Sequence, residues 1–104
     1  MVNVDNKTPK ITIFVGRTAG GFNKFLVENN LTRIEPDVLA EYVLRGIENY
    51  ENDDIESSRI LLKEIWTLVG VEDKETSVEV TKQFGRLCDM TRTILKNFEE
   101  LTRS

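Results

Sequence analysis

Between Thr76 and Arg103 one set of residues recurs at alternating steps of four and three: Val80, Phe84, Leu87, Thr91, Ile94, Phe98 and Leu101. That is a seven-residue repeat, the spacing that keeps one face of an α-helix against a partner. Cys88 and Leu95 fall beside this seam and widen it into the apolar stripe of a bundle helix. Thr76 and Glu79 have capping-box spacing, which predicts that the helix starts at Thr76. At ~1.5 Å per residue it would run roughly 40 Å, longer than a compact domain of this size, whose radius of gyration is about 13 Å. Such a helix must protrude, bend, or pack on a second copy. Gly85 is its one internal weak point, costing about 1 kcal/mol against alanine, and a break there would let it fold back within one subunit. The six apolar seam residues, at roughly 1.5–3 kcal/mol each on burial, are too large a fraction of a small domain's stability to be left in water.

A chain of 104 residues holds one core and is too short for a two-domain enzyme. The balance of 18 acidic against 14 basic residues gives a net charge of −4, which speaks against a surface built to neutralise phosphate backbone. A hydrophobic fraction of 39% with 31% charged residues is that of an ordinary globular chain. Met1–Pro9 lacks the apolar core of a secretory signal, and no apolar run approaches bilayer length, so a cytoplasmic location is expected. Histidine is absent and Cys88 stands alone, which removes an intrachain disulfide, Cys/His zinc sites and imidazole acid–base chemistry. Cys88 itself reads as a small buried hydrophobe.

Val2, Val4 and the β-branched run Lys10–Val15 predict a strand or hairpin over 1–16, which would need a partner strand to satisfy its backbone. A Gly-rich loop, 17–21, follows. Three helices are expected over 22–70: Phe22–Asn29 with Phe22, Phe25 and Leu26 on one side; Pro36–Tyr50, opened by the proline; and Asp54–Val69, capped by Asp53 with Glu56 and stopped at Gly70. Gly46 lies on the stripe of the second, where it suggests close approach of another helix.

Few stretches suggest chemistry. Strand, glycine loop and helix in that order can present backbone N–H groups to an anion, with Arg17, Thr18, Gly20, Gly21 and Lys24 as the candidate site. Gly16 and Gly21 have the spacing of a phosphate-binding loop, but Phe22 and Asn23 stand where that loop needs lysine and a hydroxyl. A simple connecting turn accounts for the same residues. Paired strands reading DNA through Lys10, Thr12 and Phe14 are a weaker match, since Phe14 is a poor base reader and the chain is acidic. Glu48, Glu51, Asp53, Asp54 and Glu56 form the densest acidic cluster, without the glycine and ligand spacing of a calcium loop; helix-end and cap roles explain them. Trp66 reads as core.

The sequence therefore predicts a mainly α fold: an N-terminal β-strand or hairpin, about four helices, and a long last helix packed in a dimeric bundle. The expected function is a non-enzymatic, self-associating assembly or adaptor module without metal or cofactor. Its interface would be Val80, Phe84, Leu87, Thr91, Ile94, Phe98 and Leu101, and its partners a second copy and another protein. The alternative is a regulator binding nucleic acid or a phosphate ligand through the N-terminal strand and glycine loop.

Overall fold

The computed structural model of the protein describes residues 20–103, and these form four helices: α1 over 20–28, α2 Pro36–Glu51, α3 Ile55–Val69 and α4 Lys74–Arg103. The mainly α expectation holds. The expected N-terminal β-strand or hairpin is not supported: its residues lie outside the described part, and the described residues contain no strand.

Glycines 20 and 21, expected in a loop, lie in α1, whose hold on the core comes from buried Phe22 and Leu26 one turn apart. Once those two are fixed, extending the helix by two residues adds backbone bonds at little further cost. Asn23 locks α1 to the connector before α2: its side-chain amide donates to the Ile34 carbonyl at 3.0 Å and accepts from the Ile34 N–H at 2.9 Å. Pro36 opens α2, and Glu35 before it makes no side-chain cap.

Two helix starts are displaced from expectation. Asp54, not Asp53, caps α3, accepting from the Ser57 N–H at 3.0 Å and the Ser57 hydroxyl at 2.8 Å. Asp73 begins α4 two residues early, accepting from the Thr76 N–H at 2.8 Å and the Thr76 hydroxyl at 2.9 Å. Thr76 thus donates to a cap instead of being one. The bonds from Ser57 backbone and side chain hold the Asp54 carboxyl below the usual aspartate range, and those from the Thr76 hydroxyl and N–H do the same for Asp73.

Helix α2 is central and packs along both α3 and α4, which touch each other only sparsely. Leu39, Val43, Leu61, Ile65, Val69 and Val80 form the fully buried middle of the core, and the rings of Phe22 and Phe84, 6.3 Å apart, close it on the α1 side. At Gly46 the side chains of α4 pack directly on the backbone of α2. A methyl group there would lie 3.1 Å from Cys88 Sγ and 3.3 Å from Phe84 Cε2. Helix α4 runs unbroken through Gly85 for 30 residues, about 45 Å by helix geometry, and sets the longest dimension of a body measuring 47 × 27 × 23 Å.

Candidate functional site

The seam of α4 divides into two parts. Val80, Phe84, Leu87 and Thr91 are all buried within the chain, so four of the seven expected interface residues belong to its core. Thr91, the polar member, donates its hydroxyl to the Leu87 carbonyl at 2.8 Å, which satisfies it without a partner helix. Ile94, next in the same register, is 43% exposed although Val80 is 0% exposed. The reason is the length of α2, which ends at Glu51 with that carboxylate 3.7 Å from Arg92 Nε. Met90, one turn before Ile94, is also exposed, while Leu95 still packs on the core. The side chains of Phe98 and Leu101 lie outside the described part; their positions continue the Met90–Ile94 side of the helix at steps of four and three.

A second surface comes from the sparse contact between α3 and α4. A trough of about 870 Å³ runs between them from the turn at Val71, with Leu62, Trp66 and Val78 among its apolar residues and Lys63, Lys74 and Lys82 among its polar ones. It adjoins, at Leu62 and Thr81, a smaller cleft of about 240 Å³ lined by Ile47, Phe84, Gly85, Cys88 and Arg92. Trp66 Nε1 donates to Thr81 Oγ1 at 3.1 Å and holds the two walls together. Arg92 Nε is buried without a hydrogen-bond acceptor, while its guanidinium lies 4.9 Å from the Tyr50 ring centre. Sequence reasoning missed this surface. Two of its residues could have signalled it: Val78, apolar but off the seam, and Gly85, an exposed mid-helix glycine off the seam.

The sequence matches no protein-family model, no curated protein and no solved structure.

Of the anion-site residues, the described ones lie on a helix. Arg17 and Thr18 lie outside the described residues; Gly20, Gly21 and Lys24 lie on α1, where both glycines are exposed, as is Lys24. Asn23, between them, has both polar atoms of its side chain engaged with Ile34. The acidic cluster is likewise taken up locally: Asp54 caps α3, Glu51 faces Arg92, and Asp53 turns the chain with a φ of 54°. Among the described residues no three carboxylate or thiol side chains converge as a metal site would require. No described helix is long and apolar enough to cross a membrane. Burial, and after it the neighbouring Asp89 charge, pushes the Cys88 thiol up to about 12, so it stays protonated and a poor nucleophile.

Proposed function

We propose that the protein is a non-enzymatic, self-associating interaction module of the cytosol, acting as an assembly or adaptor unit through the distal part of α4. The observation that carries this reading is the abrupt exposure of the seam: the register that is buried from Val80 to Thr91 emerges at Ile94, beside exposed Met90, where α2 has ended. A helix that keeps its apolar period after its own bundle has stopped supports a second helix as the cover. Two copies meeting through the same face would form a closed, two-fold pair. The alternative, a nucleic-acid or phosphate regulator built on the glycine loop, gains no observation among the described residues.

Sedimentation of the full chain at micromolar concentration tests the proposal. The expected result is a dimer that Ile94→Glu converts to monomer, while Ile60→Glu, on the exposed side of α3, leaves it a dimer. A wild-type chain that sediments as a monomer would overturn it, and so would a dimer indifferent to Ile94→Glu.

A further inference from the structure

The smaller cleft is walled by three helices: Ile47 comes from α2, Leu61 and Leu62 from α3, and Phe84 and Cys88 from α4. Ile47, Leu61 and Phe84 are core residues, so the floor of the cleft is the core itself, reached from outside. Water on such a floor finds few polar groups to bond, and an apolar group that displaces it gains affinity.

Size limits the occupant. The cleft measures about 240 Å³, whereas a single turn of an α-helix sweeps roughly 400–600 Å³. A helix is therefore too large, but an apolar cavity of roughly 150 Å³ already takes up benzene, so one six-membered ring with a short substituent fits.

Charge limits its polarity. The polar lining of α4 is Asp89, which is exposed, and Arg92, which is partly so; three residues apart, they are neighbours on the helix surface. An anion entering the cleft would meet Asp89 and a cation would meet Arg92, and either would shed hydration against an apolar floor. The Glu51 carboxylate, 3.7 Å from Arg92 Nε, is too far to hydrogen-bond it, and Nε has no other partner among the described residues. A guanidinium only donates and a carboxylate only accepts; a hydroxyl is uncharged and does both.

We propose that this cleft binds a small neutral ring compound bearing one hydroxyl, of phenol size, its ring on Leu61, Leu62 and Phe84 and its hydroxyl between Arg92 and Asp89. The site is independent of the self-association proposed above, since Ile94 lies outside it.

Titration of the full chain with phenol, followed by proton–carbon NMR at the methyl groups of Ile47, Leu61 and Leu62, tests the proposal. Those signals are expected to shift and to saturate at millimolar phenol or below, while benzoate and benzylammonium bind at least about tenfold more weakly. Asp89→Ala should weaken phenol severalfold and leave toluene, which has no hydroxyl, unchanged. Gly85→Leu, which puts a side chain into the open space at the cleft wall, should abolish binding of both, and Ile94→Glu should leave phenol binding intact. Circular dichroism checks that each variant is folded. Methyl shifts that rise without saturating, benzoate binding as tightly as phenol, or phenol binding untouched by Gly85→Leu would overturn the proposal. So would a lower sedimented mass for Gly85→Leu, because a second copy would then be the occupant.

Discussion

Three residues with positive φ end three of the four helices in the same way. Asn30 (φ 60°), Asp53 (φ 54°) and Gly70 (φ 86°) each turn the chain out of a helix while the next N–H reaches back across the last turn. The paired bonds are Leu31 to Leu26 with Asn30 to Val27, Asp54 to Asn49 with Asp53 to Tyr50, and Val71 to Trp66 with Gly70 to Thr67. This is the Schellman arrangement, in which a left-handed residue lets two terminal carbonyls be satisfied. Glycine takes that conformation without strain, and asparagine and aspartate at some cost. Gly70→Ala should therefore destabilise the protein by about 1–2 kcal/mol through the backbone alone, since a methyl group there meets no atom within 4 Å. Asp53→Gly should stabilise it by up to about 1 kcal/mol. Urea denaturation of both variants checks the pair, and the opposite signs distinguish this account from a general intolerance of substitution at helix ends.

On the scale of one element, the two mid-helix glycines make opposite predictions. Gly46→Ala makes Cys88 Sγ and Phe84 Cε2 give way by a few tenths of an ångström inside the packed core, a strain that should outweigh the ~1 kcal/mol helix gain and leave a net cost of up to about 2 kcal/mol. Gly85→Ala enters open space and should raise stability by about 1 kcal/mol. Thermal melts of the two variants moving in opposite directions would bear this out; a loss at Gly85 would show a contact that the subunit does not display. The spacing of Val80, Phe84, Leu87 and Thr91 made the inward face of α4 legible, and Gly46 made the tight approach to α2 legible. Periodicity identifies an apolar face but not what covers it, which is why the change at Ile94 could not be read: it depends on where α2 stops. Caps were ambiguous for a related reason. Asp53 and Asp54 are both good capping types, and only the need for a left-handed residue at Asp53 makes Asp54 the cap. The trough was hidden because it arises from the splay of α3 from α4, a matter of packing angle that neither helix encodes alone.

For the whole molecule, the thiol of Cys88 reports on how the bundle opens. It lies between α2 and α4 beside Gly46, with Sγ 3.9 Å from the Val43 carbonyl, and burial holds it protonated. Its alkylation in native buffer should be slow although the thiol borders the cleft, because it stays protonated, and should accelerate with denaturant in step with loss of helical signal. Fast alkylation of the folded protein would mean that the thiol ionises far more readily than its burial implies. The body itself is lopsided: α2 organises it, α1 and α3 flank it, and α4 outruns them all. Past Leu95, the last described side chain packed on the core, α4 continues for eight residues, about 12 Å. A rod clamped along most of its length and carried on past the clamp behaves as a spacer. Whatever grips the tip is kept at a set distance and bearing from the rest, so two such bodies joined tip to tip would face apart and leave their flanks open to other proteins.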